Sequence, residues 1–485
     1  MKKFVIFALM SVMVFALQAQ TVSQTEAMQR ATEYFNRHVR PAALRSTASA
    51  EPSGVTPWMA GDTTCMYAVQ MAEGGWVLVS ADDRTTSSVL AYSENGTFDT
   101  DDMPDGMKWL LGDYARQILR VKQDSTISQK QVGTSALRST QPQNDGSGSA
   151  IYTPGEWLLN LKDEGEILWS QDWYPGRRSA YKAEGDSCSR AYNYFCPKIE
   201  LRSTKTDCFC NRSPAGCGPV AMGQVMRYWK WPLSAIVPVF QGSDEATVKL
   251  YDWDNMPSSI SNKTTIEDAQ KVSSLLRDLG IAAKTKYGPE ESSTSRDNVY
   301  ETLQLYSYHV VRAEVKSDVG NLLRNEIDEG RPVIFAAWTK DSGHDFVIDG
   351  YKDPLGNTNY FHVNWGWGPR DSTSRSYCLL DALCPMEKII PEKTYSNKKE
   401  IFYQIYPQCK VESENTSISG EVTQNFGIQV SDKLVATCVI KTGELFMQVE
   451  EVELQPGFEV KSGAVLDVKT PAYQYCQTKG PGKKK

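Results

Sequence analysis

An α+β fold built from several units is what the sequence predicts, on three observations. The first stretch mixes a β-rich run with a helix of regular apolar spacing, the middle carries capped helices followed by apolar strands, and the residues after Gln408 change to short strands and turns. Segregated helices and strands mark α+β architecture, where strict alternation would mark a parallel α/β sheet. The chain is 485 residues long, and at roughly 150 residues per domain that is about three units.

Residues 1–19 read as a secretory signal peptide: Lys2 and Lys3, an apolar run from Phe4 to Leu17, and the small Ala19 at the cleavage position. The run is too short for a membrane anchor, since spanning takes ~20 apolar residues. No other window is long enough, so no membrane span is expected after signal removal, and the expected location is exported: periplasm, cell surface or extracellular medium. Residues 20–135 form a small α+β unit, with a strand alternating along Gly75-Trp76-Val77-Leu78-Val79-Ser80 and a helix from Met107 through Leu119. Residues 136–155 are a linker around the polar, Gly- and Ser-rich Gln141–Ser149, the kind of segment a protease nicks. The pentapeptide Ala-Leu-Arg-Ser-Thr stands at 43–47 and again at 136–140, too sparsely for a structural repeat. Arg138, just before the linker, leaves Arg-directed processing open.

Residues 156–407 carry the strongest elements. Thr265-Ile266-Glu267-Asp268 is a capping pattern that opens a helix with Ala269, Val272, Leu276 and Leu279 on one face and Gly280 at its close. A second helix face, Val319, Leu322, Leu323 and Ile327, ends at Gly330 and Pro332, and strands follow at Val333–Ala337, Phe346–Ile348 and Tyr360–Val363. Residues 408–485 are a small β-rich module, with turns marked by Pro456-Gly457 and Ser462-Gly463.

Lys plus Arg number 52 against 59 Asp plus Glu, a net charge of −7. Nucleic-acid binders carry the opposite balance, so no nucleic-acid partner is expected. The four His (His38, His309, His344 and His362) exclude a large His-rich metal cluster. Eleven Cys in an exported chain leave at least one thiol unpaired if the rest bridge. Cys208-Phe209-Cys210 has no partner pair at zinc spacing, so disulfides or buried thiols are the expected reading, with no metal and no cofactor.

Gly216-Cys217-Gly218-Pro219 opens an amphipathic helix whose Met222, Val225, Met226 and Trp229 recur at i, i+3, i+4 and i+7. Pro219 suits a first turn, where its missing N–H costs nothing. Cys217 therefore lies at a helix N-terminus, where the macrodipole and free N–H groups favour a thiolate and lower the thiol pKa. A lone Cys in such a place is more often packed or bridged, but the downstream residues reverse that. Gly343-His344 puts a His at the mouth of one strand, and Phe361-His362-Val363-Asn364 ends the next on an amide. Cys, His and Asn in that order supply a nucleophile, a base and an orienter for the imidazole. His362 is out of phase in its strand and reads as structural. His309 lacks polar company and reads as packing.

These segments resemble the streptopain family of papain-like cysteine peptidases, over about 20–405. Gly75–Arg84 followed by Val89–Ser93 is similar to the family's inhibitory propeptide, and Gly216-Cys217 with Ala221-Met222 and Gln224–Trp229 to its nucleophile helix. Gly343-His344 with Phe346–Gly350, and Asn364-Trp365-Gly366-Trp367-Gly368, match the base and orienter segments, and Leu380–Leu383 also fits. The resemblance implies a papain-like two-subdomain cysteine endopeptidase made as a zymogen. It would act on proteins or peptides, with its own propeptide as intramolecular inhibitor. Cys217 would be the nucleophile and His344 the general base and then acid. Asn364 and Trp365 would hold and shield the imidazole, Gln171 would help bind the oxyanion with the Cys217 N–H, and Gly343 and Ser293 would touch substrate.

The chain departs from the family at Gly218-Pro219 after the nucleophile, at Asp345 in place of a small residue, and at Pro369–Arg375 in place of a Gly-rich loop. Strand alternation turns Asp345 away from His344, so a solvated acid is expected there. The Cys188–Cys210 cluster reads as an added local staple. Two other readings stay open: a catalytically silent homologue acting as a binding module, and a transglutaminase-like acyltransferase.

Overall fold

The computed structural model describes residues 21–40, 49–101, 103–124, 157–171, 185–198, 212–289, 291–315, 319–338, 343–352, 360–368, 376–380, 398–408, 416–423, 426–429, 433–449 and 451–469. The signal segment, the linker with Arg138, Cys208-Phe209-Cys210, Pro369–Arg375 and Asp381–Leu383 lie outside them. No described helix is long and apolar enough to cross a membrane.

A ten-stranded sheet organises the first two units. Four strands come from the N-terminal unit: β1 (Pro52–Ala60), β2 (Thr63–Met71), β3 (Trp76–Ser80) and β4 (Val89–Ser93). Six follow: β5 (Tyr308–Glu314), β6 (Val333–Trp338), β7 (Gly343–Lys352), β8 (Tyr360–Asn364), β9 (Ser376–Leu379) and β10 (Lys398–Pro407). Their spatial order is β1-β2-β3-β4-β9-β8-β7-β6-β10-β5, and every neighbouring pair is antiparallel. The two units join where Ala91, Tyr92 and Ser93 of β4 pair with Cys378, Tyr377 and Ser376 of β9.

The N-terminal helices are α1 (Gln24–Tyr34), closed by a Ser23–Glu26 capping box, and α2 (Asp105–Gln123), whose Met107, Leu111, Tyr114 and Ile118 are buried. They cover opposite faces of the meander. Tyr34 of α1 packs against Tyr92 and Tyr360, whereas α2 lies on the face of His344. That is why β3 and β4 are buried at every position, and not at alternate ones as the sequence pattern suggests.

On the face opposite α2 sit α3 (Cys217–Trp229), α4 (Ile266–Ala282) and α5 (Arg296–Leu305), packed with Ile334, Ala336, Val347 and Phe402 of the sheet. Helix α6 (Gly320–Asp328) lies on the α2 side, with Leu323 and Ile327 in that core. Thr265 caps α4 by accepting from Asp268 N, but the helix runs two residues past Gly280. A Cβ at Gly280 would stand 2.0 Å from Tyr287 Oη, so this glycine makes room for a tyrosine and does not end the helix.

The C-terminal unit is a coil of parallel strands. β11 (Thr416–Ile418), β12 (Glu421–Val422) and β13 (Phe426–Gln429) form the first turn, β14 (Lys433–Ala436), β15 (Val439–Ile440) and β16 (Glu444–Gln448) the second, and β17 (Glu451–Leu454), β18 (Glu459–Val460) and β19 (Val465–Lys469) the third. Each turn adds one strand to each of three parallel sheets. Leu434, Ala436, Cys438, Ile440, Leu445 and Met447 fill a core of its own.

Candidate active site

Cys217 is the first residue of α3, and every residue from Gly218 to Trp229 behind it is buried. Its thiol is free and partly exposed. Gln171 is held beside it, because Gln171 O accepts from Ala215 N at 2.6 Å. The segment just before it is pinned by a residue to which the sequence assigns no role: buried Gln224 accepts from Trp169 N at 3.3 Å. Ser293 sits exposed on a short hairpin paired with Lys286, and its neighbours Ser292 and Thr294 abut Gly216 and Gly218. The head of α3, Gln171 and Ser293 are thus brought to one place.

Asn364 shares that face of the sheet, since it pairs with Val347, a residue of the α3 core. Its Nδ2 donates to Ile167 O (2.7 Å) and its Oδ1 accepts from Gly366 N (3.1 Å). His344 is on the other face. It pairs with Ala337 and is followed at alternate positions by Phe346 and Ile348, all on the α2 side. Its Nε2 donates to Trp365 O at 2.9 Å, and because a carbonyl can only accept, Nε2 carries the proton. Trp365 packs on Phe346 (4.8 Å between centroids) and donates to Ser376 Oγ. Helix α2 closes over this pair: a Cβ at Gly106 would lie 2.5 Å from His344 Cδ2 and 2.8 Å from Trp365 Cε3. The imidazole expected beside Cys217 is therefore turned to the N-terminal unit, for the plain reason that β7 alternates and α2 holds the side it faces.

The partner that Cys217 does have is Asp345, with Sγ 3.9 Å from Oδ2. The expected solvated acid is buried. It points away from His344, as alternation requires, but that direction leads into the protein and not to water. The expected lowering of the thiol pKa is not found either. Burial, and then the Asp345 carboxylate, push the Cys217 thiol up, while burial pushes the His344 imidazole down. Gly343 opens β7 exposed, on the Asp345 side of the strand.

One constellation was not foreseen as such. Asp349 lies inside the apolar run of β7, accepts from His362 Nδ1 at 2.6 Å, and receives Leu159 N on its other oxygen at 3.2 Å. Trp157 stacks on His362 at 4.3 Å. The segment that follows the linker is thereby clamped to the strand that carries His344. An acid within an apolar strand was the available signal. His309 packs on Tyr406 as expected (4.7 Å), and Cys188 is disulfide-bonded.

A free cysteine heading a buried helix, with an appended unit seated over the histidine, defines the class: a cysteine protease carrying an inhibitory segment. Residues 187–372 match the Peptidase C10 family and residues 19–118 match the Spi protease inhibitor. The chain belongs to the peptidase C10, or streptopain, family. It is 28% identical over 371 residues to the thiol protease/hemagglutinin PrtT of Porphyromonas gingivalis, covering 73% of this chain but 38% of that protein. It is 26% identical over 342 residues to streptopain of Streptococcus pyogenes, covering 66% of this chain and 75% of that one. Among solved structures, a Cys-to-Ala mutant fragment of Prevotella intermedia prointerpain A aligns at TM-score 0.49 and 21% identity, over 72% of this chain and 97% of that one. Active interpain A aligns at TM-score 0.33 and 23% identity, over 48% and 92%.

Proposed function

We propose that this chain is an exported cysteine endopeptidase in its latent form, with an inhibitory unit to about residue 135, a papain-like peptidase domain at 156–407 and a β module at 408–485. The observation that carries it is the split constellation: Cys217, Gln171 and Asn364 gathered on one face of the sheet, and His344 held on the other by α2. Cleavage in the linker would release α2. His344 is the second residue of β7, and shifting a strand end by one residue exchanges the faces of its side chains, so freeing that end brings the imidazole to the thiol.

The chemistry then follows from the residues. His344 takes the proton of Cys217 and the thiolate attacks the substrate carbonyl. The Cys217 N–H and the Gln171 side-chain N–H donate to the oxyanion, a contribution typically worth ~10²–10³ in rate per donor. The imidazolium protonates the leaving amine, water hydrolyses the thioester, and Asn364 orients the ring throughout. Casein hydrolysis and labelling by a thiol-reactive epoxide, before and after linker cleavage, test this. Wild type gains both on cleavage and Cys217→Ala gains neither. No labelling and no hydrolysis after cleavage would mean a silent binding module, and amine transfer without hydrolysis an acyltransferase. N-terminal sequencing of the processed chain locates the cut.

A further inference from the structure

Asp345 has no part in that chemistry, yet its carboxylate stands within reach of the Cys217 thiol. Alternation on β7 sends its side chain to the α3 face, where Oδ2 stands 3.9 Å from Cys217 Sγ. The site is closed: Asp345 is 7% exposed, and a Cβ on Gly218 would meet Oδ2 at 3.2 Å and Thr294 Cβ at 3.1 Å. Three elements present charged or titratable groups to this carboxyl: Cys217 on α3, Arg296 on α5 and Glu400 on β10. Arg296 does not neutralise it outright. Its guanidinium lies over the Trp338 ring, 3.2 Å from the centroid, and is shared with Glu400 at 4.0 Å. Glu400 is itself drawn to Arg312 at 2.6 Å.

We propose that Asp345 is a positioning residue for the latent nucleophile: its carboxyl accepts the Cys217 S–H and keeps the sulfur an uncharged thiol for as long as His344 is held on the opposite face. This rests on the reading of Cys217 as nucleophile. A thiolate and a carboxylate this close, in a site only partly open to water, repel unless a cation stands between them. The His344 imidazole, held under α2, is not on that face to supply one. The same burial pushes the Asp345 carboxyl up to about 7, so near neutrality the pair carries at most one negative charge, and it rests on oxygen. The one-residue shift that brings His344 to the thiol after processing also turns Asp345 to the opposite face, so the cation arrives as the carboxyl leaves. Latency is then double, with the base withheld and the nucleophile disarmed.

The test is alkylation of Cys217 by iodoacetamide in the unprocessed full-length chain across a pH series, read by mass spectrometry of the Cys217 peptide. Wild type should react only in the alkaline range, and Asp345→Asn should shift the profile to lower pH by about one unit, which is roughly tenfold faster alkylation at neutral pH. The buried thiols Cys65, Cys196, Cys378 and Cys438 report folding in the same digest. An unmoved profile in Asp345→Asn with those four still protected overturns the proposal. Where the Asn variant exposes them, Asp345→Ser replaces it under the same criterion. Wild-type Cys217 reacting at neutral pH as fast as a free thiol overturns it without any variant. Casein cleavage by processed Cys217→Ala would instead sink the nucleophile assignment and leave the alkylation result standing.

Discussion

A hydrogen is all that Gly106 places against the His344 imidazole, and the space it leaves decides which way that ring can lie. An added methyl at 2.5 Å from Cδ2 must lift α2 or eject the ring. Overpacking of this kind costs typically about 1–3 kcal/mol, roughly a 5- to 150-fold loss in the docked population. Gly106→Ala is therefore expected to make the unprocessed chain label with epoxide faster than wild type, while the isolated processed enzyme, which lacks α2, is unaffected. Asn364 belongs to the same scale. Its amide satisfies Ile167 O and Gly366 N in a buried setting, and each group left unsatisfied costs about 1–3 kcal/mol. Asn364→Ala is expected to lower the melting temperature as well as kcat, and a melting curve recorded beside the kinetics separates the two effects.

Among elements, α2 is the one seated on His344, and polar contacts add to its buried apolar face. Tyr114 donates toward Leu90 O and Leu379 O, bridging the two units. Asp113 receives Lys399 of β10 at 2.8 Å. Burial works against ionisation of Asp113, but Lys399 outweighs it and holds the carboxyl below its usual value. A depressed folded pKa stabilises the docked form fully above the unfolded value of about 3.9, and the contribution is lost as pH falls through the lower folded value. The wild-type chain should thus lose an increment of stability below about pH 4 that Asp113→Asn, already lacking the pair, does not lose. Thermal melts of both across the acid range check it. The helix was legible from the spacing of Met107, Leu111 and Ile118. Its seat on His344 was not, because no local pattern tells a helix which strand of another unit it will cover.

For the whole molecule, the continuous sheet makes inhibitor and peptidase one body, whereas the β coil keeps its own core and meets the rest at the hairpin formed by residues 234–238 and 246–250. A chain ending at Gln408, processed in the linker, should hydrolyse casein at the full-length rate, and a loss of activity on truncation would show that the coil supports the cleft. The sequence alone determined the order of units, the helix headed by Cys217, the strands that carry His344 and Asn364, and the chemistry those residue types can perform, because capping, spacing and alternation are local properties of a chain. Only the tertiary structure decided that Asp345 takes the place beside Cys217 and that His344 is buried under α2. Alternation says that neighbours on a strand face opposite ways, but which way meets Cys217 depends on what packs against each side of the sheet, and here α2 occupies one side and α3 the other.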